Sequence, residues 1–234
     1  MNLIYISIGH NPKYIEMLRL HLESLERFYD GKFEFLVITD CDISIKTTIP
    51  LNYHFTKCES VYQSATNKLK IYQYSDLHKY DGIISCDADS IWNKSPMFET
   101  IKPGFVSVSN EQQLMNHPSE MWGNYYLTEA ESEDITKRNI LGVNGGVFGF
   151  KSNMANHFKN IEEFTFSYEP NFHSVWEQSF LNVYLYRNNI LDNSFESFVH
   201  NCYDENFDTD KSLIHFLGGE NNEKISRMKR AINL

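Results

Sequence analysis

The chain has 234 residues, of which 41% are hydrophobic and 15% aromatic, and its formal net charge is −10. These values are typical of a globular protein with a sizeable core, and they exclude wholesale disorder. Nucleic-acid binders usually carry a basic face, so the acidic excess argues against DNA or RNA as a partner. It suits a soluble protein that handles anionic ligands through a metal ion.

The ends and cysteines of the chain bear on its compartment. The first residues have no basic region, and their apolar run is too short for a signal peptide or a membrane span. None of the cysteines belongs to a Cys-x-x-Cys pair, which favours free thiols in a reducing compartment over disulfides or zinc; they are Cys41, Cys58, Cys86 and Cys202. We therefore expect a cytoplasmic protein without a transmembrane segment.

The opening of the chain predicts a strand, a helix and a second strand. Residues 3–8 have strand composition, and Gly9-His10-Asn11-Pro12 breaks the run. Apolar residues at helical spacing follow over 14–28, and a second strand over 33–39 ends at Asp40. This order with short links predicts two parallel strands and a right-handed crossover.

A short strand at 51–55 and a helix at 64–74 lead to the apolar run 82–86, which predicts one buried strand. The run ends in Asp87-Ala88-Asp89. Open α/β sheets bind ligands at the carboxyl ends of their strands. Two close carboxylates repel each other unless a cation or a proton lies between them, and Mg²⁺ and Mn²⁺ take oxygen ligands. A polar turn after the strand is the alternative.

The second half predicts a strand at 105–109, a long loop region with one helix over 110–139, and an apolar strand at 141–150. Gly145-Gly146 interrupts that last strand, which indicates either a close approach by a ligand or another backbone, or a β-bulge. A helix at 176–187, a short strand at 213–217 that contains His215, and a helical tail over 220–234 complete the pattern.

Five segments in this order resemble motifs of the glycosyltransferases of the GT-A fold, most of all the glycogenin-like and bacterial galactosyltransferase-like family, glycosyltransferase family 8. They are ISIGHNPKYIEMLRLHLESLERF, NKLKIYQYSDLHKYDGIISCDADSIWNKSP, LGVNGGVFGF, VWEQSFLN and IHFLGG. The resemblance implies a single α/β domain of GT-A fold, with a Rossmann-like, mostly parallel central sheet flanked by helices. Residues 1–109 would form its nucleotide- and metal-binding half, and residues 110–234 its sugar- and acceptor-binding half with the tail.

The function that the resemblance implies is metal-dependent transfer of a sugar, with retention, from a nucleoside-diphosphate sugar such as a UDP-sugar to a glycan or other hydroxyl acceptor. The implied metal, Mn²⁺ or Mg²⁺, would be held by Asp87, Asp89 and His215, and the implied catalytic residues are Glu177 and Gln178. The implied substrate-binding positions are Gly9, His10, Asn11, Tyr14, Asp40, Lys68, Asp87, Ala88, Asn144, Gly145, Gly146, Gly218 and Lys224.

Several of these residues have ordinary structural alternatives. Asp40 suits a turn, and Lys68 suits a solvated helix face. His215 suits a satisfied core position, and Glu177 suits the first turn of a helix, where an acid favours the dipole. In an inverting enzyme, Glu177 would instead act as general base toward the acceptor.

The sequence departs from the family at two places. Glu177 stands where the family usually has Asp, and the Lys-Pro-Trp that follows the histidine segment is missing. We expect Lys224 and Arg227 to fold over the diphosphate as substitutes, and Lys229 and Arg230 to lie in solvent. Contact with an anionic membrane surface and a plain solvated helix are the alternatives for this basic group.

Two other functions fit parts of the pattern. Phosphatases of the haloacid-dehalogenase type also place Asp-x-Asp after an apolar strand, with the first Asp as nucleophile, although there the motif opens the core domain. A non-catalytic module that binds sugar nucleotides or glycans would keep the same residues without turnover.

Overall fold

The computed structural model describes residues 1–9, 11–58, 66–167 and 176–233, with the backbone alone at Glu120 and Trp176. Its strands are β1 (Asn2–Ile8), β2 (Phe33–Thr39), β3 (Leu51–Phe55), β4 (Gly82–Cys86), β5 (Ser90–Trp92), β6 (Val106–Leu114), β7 (Leu141–Lys151), β8 (Leu191–Asp192), β9 (Val199–Cys202) and β10 (Leu213–Phe216). Its α-helices are α1 (Pro12–Glu26), α2 (Glu129–Arg138), α3 (Ala155–Phe166), α4 (Trp176–Arg187) and α5 (Asn221–Ile232).

The central sheet has seven strands in the order β3-β2-β1-β4-β7-β6-β8. Strands β3, β2, β1 and β4 pair in parallel, β7 is antiparallel to both β4 and β6, and β8 is parallel to β6. Within this sheet β7 alone therefore runs against the others. A smaller sheet has the order β5-β10-β9. The expected α/β class with a mostly parallel central sheet is confirmed.

The core lies on both faces of the central sheet, because successive side chains of a strand point to opposite faces. In β1, Ile4 and Ile6 pack into the cluster that contains the buried face of α1, whereas Leu3 and Tyr5 pack into the cluster on the other face. Fully burying a large apolar side chain contributes roughly 1.5–3 kcal/mol. This two-sided burial explains why β1, β2 and β4 are nearly continuous apolar runs.

Several elements lie where the sequence predicts them. Strands β2 and β3 and helix α4 have the predicted bounds, and α1 begins at Pro12 because Asn11 caps it, its side chain accepting a hydrogen bond from the Lys13 backbone N–H at 3.0 Å. The helix expected over 64–74 is a 3-10 helix, Asn67–Gln73, and residues 64 and 65 lie outside the described residues.

Other elements differ from the prediction. Strand β6 continues to Leu114, into the region expected to be a loop, and the expected helix there is α2, which begins with a capping box of Thr128 and Glu131. Gly145 and Gly146 do not interrupt β7, which runs unbroken through both. Helix α3 and the short strands β5 and β9 were not predicted.

The described cysteines are free thiols, with Cys86 and Cys202 buried and Cys41 and Cys58 half-buried. Among the described residues, no helix combines the length and the apolar character needed to cross a bilayer.

Candidate functional site

Two carboxylates and one imidazole meet where the two sheets join. Asp87 and Asp89 follow β4, and the next residue, Ser90, begins β5, whose partner β10 carries His215 opposite Ser90. One ligand atom from each of the three residues lies within 4.8 Å of the others. His215 Nε2 lies 3.4 Å from Asp89 Oδ1 and 4.0 Å from Asp87 Oδ2.

The second nitrogen of His215 has its own partner. Nδ1 lies 3.3 Å from Asn201 Oδ1, so the tautomer protonated on Nδ1 donates to Asn201 and leaves the Nε2 lone pair facing both carboxylates. Metal-binding histidines almost always donate their other ring N–H in this way. Two carboxylates and one oriented imidazole therefore fit a divalent cation such as Mn²⁺.

Gly146 makes room for the histidine ring. A Cβ at this position would lie 2.2 Å from His215 Cε1 and 2.6 Å from Nε2, far inside contact distance. The glycine pair of β7 therefore marks a close approach, one of the two possibilities that the sequence leaves open. The group that approaches Gly146 is the imidazole of His215.

His21 of α1 fixes the backbone that carries the aspartates. The Trp92 indole N–H donates to His21 Nε2 at 2.9 Å, so Nδ1 carries the proton and donates to the Ser90 carbonyl at 2.9 Å. Ser90 Oγ in turn donates to the Asp87 carbonyl at 2.6 Å. His21 is fully buried, and this burial lowers its pKa to about 4.

Lys68 joins Asp87 to the start of α4. Its ammonium, on a side chain only 8% exposed, lies 2.9 Å from Asp87 Oδ1 and 3.3 Å from Glu177 Oε1, and it donates to the Gly145 carbonyl at 3.1 Å. Burial alone would lower the pKa of Lys68, but the two carboxylates outweigh burial and raise it. The alternative of a solvated helix lysine is therefore wrong.

Glu177 and Gln178, the predicted catalytic pair, differ in what their side chains contact. Burial raises the pKa of Glu177, and within the described part of the chain its Oε2 has no hydrogen-bond partner. Gln178 Oε1 accepts the Gly145 N–H at 2.9 Å, and Nε2 donates to the Met121 carbonyl at 3.3 Å. The Gln178 amide thus holds β7 in place, whereas Glu177 retains a free acceptor atom.

The basic residues of α5 do not all lie where the sequence predicts them. Lys224 reaches the cluster, with Nζ 2.5 Å from Asp89 Oδ2. Burial would raise the pKa of Asp89, but His215 and Lys224 together outweigh burial and hold it well below its usual range. The expectation for Arg227 is wrong, because this 2% exposed side chain donates to the carbonyls of Leu217 and Gly218 at 2.8 and 2.9 Å.

The last two basic residues lie at the surface. Lys229 pairs with Glu16 at 3.0 Å, and Arg230 pairs with Glu205 at 2.6 Å. Both basic side chains are about half exposed.

The predicted nucleotide-binding positions line the carboxyl edge of the parallel strands. Ile8 pairs with Thr39, so Gly9 and Asp40 leave the sheet side by side, and Tyr14 lies exposed on the first turn of α1. Ala88 is buried beneath the cluster, and Gly218, with φ +62°, turns the chain after β10. His10 lies outside the described residues.

Three polar residues of this region were not predicted from the sequence. Glu111 of β6 accepts from Asn144 Nδ2 at 3.1 Å and from the Tyr203 hydroxyl at 3.2 Å, and Asn201 of β9 holds His215. No motif contains them, and only the pairing of β6 with β7 and of β9 with β10 brings them together.

No protein-family model matches the chain, and no curated protein matches it. Among solved structures, a bifunctional glycosyltransferase, WbbM, in its apo form, superposes with a TM-score of 0.67 at 13% sequence identity. The match covers 99% of this chain and 49% of that one, so the chain spans about half the length of WbbM. With the strand order and site geometry above, this likeness shows that the chain has a glycosyltransferase fold of the GT-A type.

Proposed function

We propose that the chain is a metal-dependent glycosyltransferase that moves a sugar from a nucleoside-diphosphate sugar, with UDP-sugars as the first candidates, to a hydroxyl group of a glycan. The observation that carries the proposal is the cluster of Asp87, Asp89 and His215 at the carboxyl edge of β4. In a fold of this type, that edge is where a ligand is expected.

In this proposal Asp87, Asp89 and His215 hold Mn²⁺ or Mg²⁺, and the mixed carboxylate and imidazole set favours Mn²⁺. When bound, such a metal stabilises negative charge on the departing diphosphate. Lys68 pairs with both Asp87 and Glu177, offsets part of their negative charge and keeps both carboxylates in place. Lys224, next to the cluster, is the cation that we assign to the diphosphate.

The remaining substrate-binding positions are divided between the nucleotide and the donor sugar. We assign Gly9, His10, Asn11, Tyr14 and Asp40 to the nucleotide. We assign Ala88, Asn144, Gly145, Gly146 and Gly218 to the donor sugar. All of these except Ala88 belong to the second half of the chain.

Glu177, whose Oε2 is free of partners among the described residues, is the polar group that we place beside the reacting sugar carbon, with retention as the outcome. Gln178 is assigned with it as its positioning partner. In this proposal residues 1–109 form the nucleotide half and residues 110–234 the sugar half. The metal ligands come from both halves, because His215 belongs to the second.

The proposal is tested by melting the protein with UDP, GDP, CDP and ADP, each with Mn²⁺ or with a chelator. A ligand at a hundred times its dissociation constant adds about 2.7 kcal/mol to the free energy of unfolding. We expect one diphosphate to stabilise the protein in Mn²⁺ only, and the matching sugar nucleotides to be hydrolysed slowly in water. NMR of the released sugar reports retention or inversion.

Other results would contradict the proposal. Stabilisation without any hydrolysis or transfer would favour the non-catalytic binding module. Metal-dependent release of phosphate from a simple aryl phosphate, without nucleotide binding, would favour the phosphatase.

A further inference from the structure

Tyr203 follows β9 as an exposed aromatic ring that is nevertheless anchored. The residue is 60% exposed, yet its hydroxyl donates to Glu111 Oε2 at 3.2 Å. Glu111 is only 8% exposed, so the anchor is a buried carboxylate. Because its hydroxyl is hydrogen-bonded to this carboxylate, the Tyr203 ring presents a face to solvent in a fixed orientation. A ligand that packs on the ring therefore does not have to order it.

The anchored ring is linked to the candidate metal cluster through Glu111, Asn144 and Gly146. Glu111 Oε1 accepts from Asn144 Nδ2 at 3.1 Å, and Asn144 Oδ1 accepts from the Gly146 N–H at 2.8 Å. Gly146 in turn lies against the imidazole of His215. On its other side Tyr203 lies beside Gly218, where an added Cβ would be 3.9 Å from Tyr203 Cδ1. Tyr203, with Glu111 and Gly218 next to it, therefore forms an exposed surface that is linked to the cluster and that we call the rim.

The chemistry of this rim selects the ligand class. The described residues that link Tyr203 to Gly146 are Glu111 and Asn144, and neither is basic. Lys224 contacts Asp89 of the cluster, and Arg227 is buried against carbonyls. An anionic group packed on Tyr203 would therefore meet the carboxylate of Glu111. A pyranose ring suits the rim, because it has an apolar C–H face for an aromatic platform and hydroxyl groups that donate to carboxylate and amide oxygens.

We propose that Tyr203 and Glu111 form the acceptor subsite, in which the Tyr203 ring stacks on a pyranose of the acceptor glycan and Glu111 fixes both the ring and a hydroxyl of that sugar. The inference rests on the proposed function and extends it to a substrate class and to two residues outside every motif of the sequence. Glu111 has to be a carboxylate for this role, since it accepts hydrogen bonds through both oxygens.

The test is saturation-transfer-difference NMR on the full chain with UDP and Mn²⁺, with the methyl α- and β-glycosides of glucose and galactose as probes. We expect at least one glycoside to receive saturation from the wild-type protein, and Tyr203→Ala to weaken its binding about tenfold through loss of the ring. Tyr203→Phe keeps the ring without its anchor, and Glu111→Gln replaces one acceptor oxygen by a donor. Each should weaken binding about fivefold, the usual effect of one hydrogen bond.

Phe105→Ala is the matched control. Phe105 is an exposed aromatic that precedes β6, six residues before Glu111 and about 20 Å away along an extended chain. Its loss should leave glycoside binding unchanged, and all four variants should keep the wild-type melting shift with UDP and Mn²⁺.

The two hypotheses fail in different ways. If UDP, GDP, CDP and ADP all leave the wild-type melting temperature unchanged in Mn²⁺, the proposed function is overturned. If a diphosphate binds but no glycoside receives saturation, or if Tyr203→Ala receives as much as the wild type, the acceptor subsite alone is overturned.

Discussion

Lys224 Nζ lies 2.5 Å from Asp89 Oδ2, so a protein cation already contacts one of the carboxylates that face the candidate metal position. Two cations near one carboxylate compete for it. The same ammonium is the group that we assign to the diphosphate. Lys224 would therefore oppose the metal before the nucleotide arrives and favour the complex afterwards.

The first prediction follows from this competition. Lys224→Met should tighten Mn²⁺ binding by the nucleotide-free protein and weaken UDP binding in saturating Mn²⁺, each about tenfold, the effect of one charge-assisted hydrogen bond. Electron paramagnetic resonance of free Mn²⁺ measures the first and calorimetry the second. Lys229→Met, which removes a surface lysine paired with Glu16, should change neither. Weaker Mn²⁺ binding in Lys224→Met would contradict the competition.

Asp89→Ala should abolish both Mn²⁺-dependent nucleotide binding and transfer, because it removes a carboxylate that contacts His215 and Lys224. The protein should stay folded, since the loss touches no large apolar contact. Melting curves and circular dichroism check the fold, and Asp210→Ala, at a side chain that is 99% exposed, is the control. Transfer at the wild-type rate in Asp89→Ala would rule out the metal assignment.

Lys68→Met should destabilise the protein by about 3 kcal/mol, because the mostly buried Glu177 would lose its cation, whereas Asp87, 38% exposed, is partly compensated by water. Urea unfolding measures the loss. Adding Glu177→Gln removes one of the two carboxylates, so the double variant should be more stable than Lys68→Met alone. If the changes in unfolding free energy of the two substitutions are additive, Lys68 and Glu177 are not coupled, contrary to what their distance indicates.

Gly146→Ala should displace the His215 ring, because the added Cβ would lie 2.2 Å from Cε1. We expect weaker Mn²⁺ binding, measured by the same resonance titration. In a His215→Ala background the ring is absent, although Asn144 Oδ1 would still lie 2.9 Å from the added Cβ. There Gly146→Ala should therefore have a smaller effect on stability and on metal affinity. An equal effect of Gly146→Ala in both backgrounds would show that the added Cβ does not clash with the His215 ring.

The buried His21 should make the protein sensitive to mild acid. Burial lowers the folded-state pKa to about 4, whereas the unfolded chain takes up a proton near the ordinary value of 6.5. Between these values the unfolded state binds more protons, so the free energy of unfolding falls as pH falls through this window, by about 2 kcal/mol between about pH 7 and about pH 5.

Urea unfolding at the two pH values compares the wild type with His21→Gln. The variant loses the hydrogen bond from Trp92 at both pH values, so only the difference between pH values is diagnostic. A pH dependence as steep as that of the wild type would exclude His21 as its source.

The parts of the fold that local patterns specify could be predicted from the sequence. Strands β2 and β3 and helix α4 are set by apolar spacing and turn residues, and Asp87 and Asp89 follow a strand that is mostly apolar and buried throughout. Strands β5 and β9 are three and four residues long and exist through their pairing with β10, which no local signal records.

The same limit applies to side chains. Glu111 and Tyr203 are 92 residues apart in the chain and form a pair only because β6 and β9 lie close together. Arg227 has the sequence context of a solvated or phosphate-binding arginine, but it lies on the inner face of α5, where carbonyl groups near the end of β10 accept its hydrogen bonds. Burial of a charged group by backbone acceptors has no pattern in the sequence.

The pairing of β5 with β10 also orders events during synthesis. Asp87 and Asp89 leave the ribosome long before His215, because β10 and α5, which bring His215 and Lys224 to them, follow β9 in the chain. A nascent chain folds from its N-terminus as it emerges. It therefore carries two neighbouring carboxylates before His215 and Lys224 are made, and the three residues of the candidate cation site are all present only once β10 has been synthesised.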